Sequence, residues 1–198
     1  MRLVIAAVVG TLVVFLWGLL SGIGLGLWSS DLRNLPEAQR VMPAIQSSVA
    51  ATGSYLFPPR PEVPEWDDGE ARKAWEEVAE TGPTGILLIR PGGSSPRATS
   101  MFVTGATLEF AGSLLVAIVL SIAGTAGIGF GGRMALGLSM VAFAVIAGVL
   151  VPSNFLELPA DWTRSMAGEV AVGWGLAVIS IGLVIRTPRR TGRHHSRS

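Results

Sequence analysis

The chain has 198 residues, of which 49% are hydrophobic and only 15% are charged, and its formal net charge is +1. Soluble domains carry about 25% charged residues, so the apolar excess must be concentrated in particular segments. There is no cysteine, and the two histidines lie close to the carboxyl end. We therefore expect no metal site, no cofactor and no histidine- or cysteine-based active site. The low net charge gives no reason to expect a nucleic-acid partner.

Four long apolar runs indicate membrane-spanning helices. They cover residues 3–28, 106–130, 134–151 and 166–185, and the third ends at Pro152. A helix needs roughly 20 apolar residues to cross a bilayer, and lipid offers its backbone no hydrogen-bond partners, so each run is expected to be helical. The alternative for the first run is a secretory signal peptide. However, the run exceeds the roughly 7 to 15 apolar residues typical of such peptides, and no A-x-A cleavage site follows it.

Basic residues flank these runs asymmetrically, which predicts their orientation. Arg2 precedes the first run, Arg133 precedes the third, and several arginines follow the fourth, with no acidic residue among them. By the positive-inside rule, both ends of the chain are expected in the cytoplasm and residues 29–105 outside it. The basic tail is expected to contact lipid headgroups through Arg186, Arg189, Arg190 and Arg193.

Residues 29–105 are too many for an unstructured connection, and their apolar periodicity predicts a small fold. The pattern predicts helices over 35–51 and 67–81 and two paired strands over 53–57 and 85–89. Pro36 is expected near the first turn of the first helix, and Ser95-Pro96 indicates that the second spanning helix begins near Pro96. A unit this small is marginally stable alone, so we expect it to rest on the membrane helices.

The predicted fold class is therefore an all-α membrane protein with four transmembrane helices and a small α+β extramembrane cap between the first two. The corresponding domains are an N-terminal transmembrane helix (1–28), an extracytoplasmic cap (29–105), a three-helix transmembrane region (106–185) and a cytoplasmic basic tail (186–198).

Small residues recur every four positions within three of the runs, which indicates close packing of helices in lipid. The rows are Gly18, Gly22 and Gly26 in the first run, Ser113, Ala117 and Ser121 in the second, and Gly173 and Ala177 in the fourth. The alternatives are a homo-oligomer face or a narrow pathway. A nucleotide site is not indicated, because the glycines of the first run lack the preceding strand of a dinucleotide-binding motif.

Glu109 and Glu169 are the only acidic residues inside these runs, and an ionisable residue there is a candidate functional site. Both are expected at a similar, shallow depth near the outer boundary. One hypothesis is a shared cation or proton site. The other is structural: Glu169 favours the dipole of a helix N-terminus, while Glu109 reaches interfacial water or pairs with Arg97, Arg164 or Arg90.

Four short motifs resemble those of an uncharacterised family of bacterial membrane proteins with one anchor, an outer segment and three further helices. They are Leu35-Pro36, Gly53-Ser54-Tyr55-Leu56-Phe57-Pro58, Gly82-Pro83-Thr84-Gly85 and Ala171-Val172-Gly173-Trp174-Gly175-Leu176-Ala177. The resemblance implies the same topology, a place in the inner membrane of a bacterium, and a structural role for the Gly-x-Tyr and Gly-Pro-x-Gly corners. It implies no activity, cofactor or catalytic residue.

These features favour a non-enzymatic accessory or interaction subunit. Its partners would be the lipid bilayer and either another membrane protein or a second copy of the chain. The alternative is a small transporter or channel that uses Glu109 and Glu169. A membrane-embedded enzyme is disfavoured because no histidine, cysteine or lysine lies within a run.

Overall fold

A computed structural model describes residues 1–26, 32–62, 69–95 and 99–185 of the chain. They belong to two compact units, one formed by Met1–Arg33 with Thr99–Ser198 and the other by Asn34–Ala98. In chain order the elements are α1 (Arg2–Leu19), α2 (Ala38–Ser48), β1 (Gly53–Phe57), α3 (Gly69–Thr81), β2 (Gly85–Ile89), α4 (Thr99–Thr125), α5 (Phe130–Val145), α6 (Val151–Phe155) and α7 (Ala160–Val184).

The first unit is a bundle of long helices. A π-helical turn over Leu20–Gly24 extends α1, and a second one over Ile146–Leu150 joins α5 to α6. Four continuous helices are long and apolar enough to cross a membrane, which confirms that part of the predicted fold. They cover Arg2–Gly24, Thr99–Thr125, Phe130–Phe155 and Ala160–Val184.

The sequence predicted that the third of these helices ends at Pro152, but the helix continues beyond this residue. A π-helical turn precedes the proline, and the N–H of Val151 donates to the carbonyl of Ile146. Pro152 then lies in the first turn of α6. In a regular helix the proline ring meets the carbonyl four residues earlier, and the wider turn relieves this clash, so the helix continues to Phe155.

The helix ends also differ from the limits of the apolar runs. The helices α4 and α7 begin at Thr99 and Ala160, ahead of the runs that start at 106 and 166. An apolar run reports the length that suits hydrocarbon, whereas a helix can continue through polar residues because its backbone satisfies its own hydrogen bonds. The first helix ends early, and Gly26 beyond it has φ 65, a conformation that glycine adopts without strain.

The bundle has a small core and a large apolar exterior. The helix α1 packs against both α4 and α7, and α5 packs against the same two helices. In the most apolar 18-residue stretch of each helix, only 17 to 28% of the residues are buried. Side chains such as Leu12 and Phe143 point away from the core, with 54% and 71% of their surface exposed. Most of the apolar surface of these helices is therefore not used for contacts within the bundle.

The second unit contains the two-stranded sheet, which has the predicted bounds. The strands pair antiparallel, with Gly53 opposite Ile89 and Phe57 opposite Gly85. The Phe57 ring covers Gly85, where a Cβ atom would lie 2.7 Å from the Cζ atom of Phe57. The Tyr55 hydroxyl donates to the carbonyl of Ala51 at 2.8 Å. The Gly-x-Tyr segment and the Gly-Pro-x-Gly segment are thus each held by an aromatic side chain of β1.

Two short helices complete this unit. The helix α2 follows Glu37, whose φ of 49 is left-handed, so Pro36 lies before the helix rather than in its first turn. Residues 67 and 68 of the second predicted helix lie outside the described residues, and α3 begins at Gly69. No residue described between 34 and 95 is buried, and Leu88 is 75% exposed.

Candidate functional site

The two candidate glutamates lie in the N-terminal halves of two helices, Glu109 on α4 and Glu169 on α7. Close contacts at glycines show how these helices are arranged around α1. Gly10 of α1 lies beside Ile181 of α7, whereas Gly18 of α1 lies beside Glu169. Because higher numbers on α1 meet lower numbers on α7, the two helices run in opposite directions.

The helices α4 and α7 run in the same direction. Gly112 of α4 lies against Trp174 of α7, and a Cβ atom there would be 2.4 Å from the Cη2 atom of the indole. Further along, Leu120 of α4 and Val178 of α7 both approach Gly137 of α5. It follows that α1 is antiparallel to both helices that it contacts.

This arrangement brings both carboxylates to α1 at a similar depth. Ser113 lies beside Gly10, its Oγ atom 2.9 Å from the Cβ position of that glycine. Glu109 is one turn earlier on the same face of α4, and therefore one turn further along α1 toward Gly18. The carboxyl group of Glu169 is 3.7 Å from the Cβ position of Gly18. The two glutamates thus border α1 about one helical turn, or roughly 6 Å, apart along its axis.

Three buried polar atoms near this level have no hydrogen-bond partner within the described part of the chain. They are Oε2 of Glu109, Oγ of Ser113 and Nε1 of Trp17. Together they supply a carboxylate acceptor, a hydroxyl that can donate or accept, and an indole donor. A buried polar atom without a partner costs free energy, so three such atoms along the interfaces of α1 are an unusual feature.

The structural explanation of the glutamates fits this geometry only in part. Glu169 lies well inside α7, and the acidic residue in the first turn of that helix is Asp161. Because the dipole effect falls off within one turn, it does not account for Glu169. Arg164 pairs with Asp161 instead of Glu109, and Arg97 lies outside the described residues. Within the described part of the bundle, neither glutamate forms a salt bridge.

Two indole rings lie next to the carboxylates. Trp17 packs on Gly173, its Cδ1 atom 2.9 Å from the Cβ position of that glycine, and Trp174 packs on Gly112. Toward the C-terminal ends of α4 and α7, the core beyond the rings is apolar. This layer contains Val116, Ala117, Leu120, Ala177, Val178 and Ile181. Ser113 and Ile181 both approach Gly10, so the Ser113 hydroxyl lies at the level of this layer.

The predicted small-residue rows lie partly in these interfaces. The fully buried members are Ser113, Ala117, Gly173 and Ala177, whereas Gly18, Gly22 and Ser121 are partly buried. Gly22 lies in the π-helical turn and Gly26 lies beyond it, so the first row is not a continuous α-helical face.

Sequence reasoning missed Gly10 and Gly112, which make closer contacts than Gly18 does. Ala6 precedes Gly10 by four residues, so the pattern contained a signal for Gly10, whereas Leu108 and Val116 flank Gly112 at this spacing and gave none.

Sequence reasoning treated Arg133 only as a basic flank, but the structure buries it in the bundle. Its side chain is 2% exposed, and Nη1 donates to the carbonyl of Ile185 at 2.7 Å. Its guanidinium carbon lies 5.9 Å from the centre of the Phe130 ring. A positive charge at this position pairs with one of the last carbonyls of α7 and with the negative end of its dipole.

The remaining predicted sites are not described or have no defined ligand set. The basic tail, Arg186 to Arg197, lies outside the described residues, so its contact with lipid headgroups stays a prediction. Among the residues described, no three histidine, cysteine, aspartate or glutamate side chains form a group that could hold a metal ion.

Comparison of the chain with protein-family models, with curated proteins and with solved structures finds no match in any of the three. The resemblance to a family of bacterial membrane proteins therefore stays a prediction.

Proposed function

We propose that the chain is a multi-pass protein of the bacterial inner membrane, with both ends in the cytoplasm and residues 29–105 on the opposite side. The proposal is supported by four helices whose apolar side chains mostly face away from the core. A helix of a soluble bundle would bury that apolar face. The orientation is supported by the arginines, because Arg2, Arg133 and Ile185, after which the basic tail follows in the sequence, lie at the same end of the bundle.

Single cysteines test this orientation, since the chain has none of its own. Gly69 is suited to the test because nothing lies within 4 Å of its Cβ position. In intact cells, a membrane-impermeant maleimide should label Gly69→Cys at once and Thr191→Cys only after permeabilisation. The reverse order of labelling would invert the proposed topology.

We further propose that the protein is a non-enzymatic interaction subunit whose extracytoplasmic unit binds another membrane protein. The observation that carries this proposal is the apolar outer face of the sheet. Ser54 pairs with Leu88 and Leu56 pairs with Ile86, so these side chains share one face. Leu88 and Leu56 are 75% and 44% exposed. Exposed leucines that share one face of a unit with no buried residue among those described are typical of a contact surface.

The position of the unit in the chain determines which kind of partner it can reach. It is joined to α1 and α4 by short segments, with nine residues between Ile89 and Thr99. A chain of this length spans at most about 35 Å, which limits how far the unit can reach from the start of α4. A partner held at the same surface would therefore meet it most readily, which favours another membrane protein.

Site-directed cross-linking in native membranes tests this contact. A photoactivatable maleimide on Leu88→Cys should give one discrete protein adduct, and the same protein should co-purify with the unmodified chain in a fixed ratio. Gly69→Cys is the matched control and should give no such adduct. Adding Leu56→Ser should reduce the co-purified amount. Adducts with lipid alone, or equal adducts at both positions, would contradict the proposal.

A second candidate function is a small transporter or channel that uses Glu109 and Glu169. It is favoured by the buried Oε2 atom of Glu109, which has no partner in the described part of the chain. The apolar layer beyond the indoles counts against passage, so this candidate ranks second. Flux of Na⁺ and H⁺ into liposomes tests it. Saturable flux that is lost in Glu109→Gln would support this function, and flux no greater than that of empty liposomes would reject it.

A further inference from the structure

We propose that the protein forms a two-fold dimer in which β2 pairs antiparallel with the β2 strand of a second copy, so that two sheets of two strands become one sheet of four. This inference goes beyond the contact with another membrane protein and does not depend on it. The pairing uses the edge of β2 and leaves open the face that carries Leu56 and Leu88.

The outer edge of β2 has no partner within the described part of the chain. The sheet contains β1 and β2 alone, so β1 covers one edge of β2 and leaves the other. Beyond the sheet, no backbone hydrogen bond among the described residues involves Gly85–Ile89, and no helix packs closely on this strand. A two-stranded sheet is marginally stable, and an open edge presents unpaired N–H and C=O groups to another strand.

The residues of β2 do nothing to prevent such pairing. Open edges in proteins are usually protected by a charged side chain or a proline within the strand. The strand Gly85–Ile89 contains neither, and four of its five residues are leucine or isoleucine. Aliphatic side chains on both faces of an open strand favour the addition of a further strand.

Two prolines define the register of this pairing. Pro83 and Pro91 cannot donate to a strand ladder, and each lies four residues from Leu87. Antiparallel pairing of β2 with its copy about Leu87 places Ile86 opposite Leu88 of the second copy. Backbone groups point outward at alternate residues, and this register joins even numbers to even and odd to odd. Each outward group therefore meets an outward group, whichever residues these are.

The charges beside β2 favour a second copy as the occupant of the edge. The same register places Arg90 opposite Thr84 of the second copy, three residues after α3 ends at Thr81. The last turn of α3 contains Glu80 and no basic residue, and Arg90 is exposed. Neither charge forms a salt bridge within the described part of the chain. In the dimer, each Arg90 would approach the negative end of a helix, whereas parallel pairing would place the two arginines side by side.

Single cysteines in the full chain, oxidised with copper phenanthroline in native membranes, test the register. Leu87→Cys lies on the two-fold axis, where opposite Cα atoms are about 4.5–5.5 Å apart and a disulfide can form. Two copies of Leu88→Cys would be about 8 Å apart, which is too far for a disulfide. We therefore expect a covalent dimer from Leu87→Cys and several-fold less from Leu88→Cys. Ser54→Cys, on the same face but in β1, is the matched control and should also give little.

A mixed experiment covers the chance that Leu87→Cys disturbs the fold, since Leu87 is half-buried. Copies with Ile86→Cys and copies with Leu88→Cys, expressed together, should be linked to each other, whereas neither should be linked to itself. Absence of a disulfide both here and in Leu87→Cys would overturn the inference. A covalent dimer from Tyr55→Cys in place of Leu87→Cys would overturn the choice of edge.

Energy transfer between labelled copies in liposomes tests the charges. Donor and acceptor dyes are placed on Gly69→Cys, where nothing lies within 4 Å of the Cβ position. Transfer should exceed that expected from random proximity, and the dimer should dissociate as lipid is added. Arg90→Glu should weaken dimerisation by about two- to fivefold, and Glu80→Arg in the same chain should restore it. Transfer at the random level would overturn the dimer, and equal dimerisation with Arg90→Glu would overturn the role of the charges.

These results are distinguishable from those that test the contact with another membrane protein. A photoadduct of the chain with itself has twice the mass of the chain, which separates it from an adduct with a different protein. A monomer that still gives the latter adduct would overturn the dimer alone. A dimer that gives no such adduct would contradict the interaction subunit alone.

Discussion

Replacing Gly112 by alanine tests how closely α4 and α7 pack. The new Cβ atom would lie 2.4 Å from Cη2 of Trp174 and 3.2 Å from two further ring atoms. Real Cβ atoms do not approach so closely, so the indole or the helices must shift, and overpacking of this kind costs about 1–3 kcal/mol. Gly175→Ala is the matched control because nothing lies within 4 Å of its Cβ position.

The two variants share every other effect of the substitution. Alanine has a helix propensity about 1 kcal/mol more favourable than that of glycine, and this gain contributes at both positions. We therefore expect Gly112→Ala to be less stable than Gly175→Ala by about 1–3 kcal/mol, or about 5- to 150-fold in the folding equilibrium constant. Far-UV circular dichroism across a titration with sodium dodecyl sulfate in mixed micelles measures the difference in free energy of unfolding.

A second substitution tests whether the indole is the cause. Trp174→Phe removes the part of the ring that contains the Cη2 atom, so combining it with Gly112→Ala should recover part of the lost stability. The two changes should therefore be non-additive, as is usual for residues in contact. If Gly112→Ala and Gly175→Ala unfold at the same detergent fraction, the close contact between α4 and α7 is refuted.

Two further predictions concern the other contacts described above. Arg133→Gln should destabilise the bundle by about 1–3 kcal/mol in the same unfolding assay, because it removes a charge-assisted hydrogen bond to the Ile185 carbonyl. Arg133→Lys keeps the charge and should lose less stability. Equal stability of all three proteins would show that this bond contributes nothing. Phe57→Ala uncovers Gly85 and should speed limited proteolysis within residues 34–98. Leu88→Ala changes a mostly exposed side chain and should not change the rate of proteolysis. Equal rates in the two variants would contradict the role of the Phe57 ring.

The sequence predicts elements well where one local signal is sufficient. The four long helices follow from uninterrupted apolar runs, and β1 and β2 follow from short β-prone segments bounded by glycine and proline. The helix limits are less accurate because they depend on backbone geometry that composition does not report. Pro152 illustrates this: its effect depends on whether the preceding turn is α- or π-helical.

The contacts between helices are not predictable from periodicity. A small residue indicates that something packs closely, but it does not show what, so neither Trp174 on Gly112 nor Trp17 on Gly173 could be foreseen. The burial of Arg133 was missed for a related reason. A basic residue at the end of an apolar run indicates a flank, and only the position of the final carbonyls of α7 shows that it is a cap.

The π-helical turn over Ile146–Leu150 makes the third long helix sensitive to its number of residues. A π turn is an α-helical turn with one added residue, so deleting a single residue there would restore regular α-helix. Because a π turn takes up its extra residue over about the same rotation as an α turn, the chain beyond the deletion would keep its faces, and Ser153, now 5% exposed, would still point into the interior. Pro152 would then meet a carbonyl that the wide turn avoids. Substitutions at these five positions should thus be tolerated more readily than a change of length.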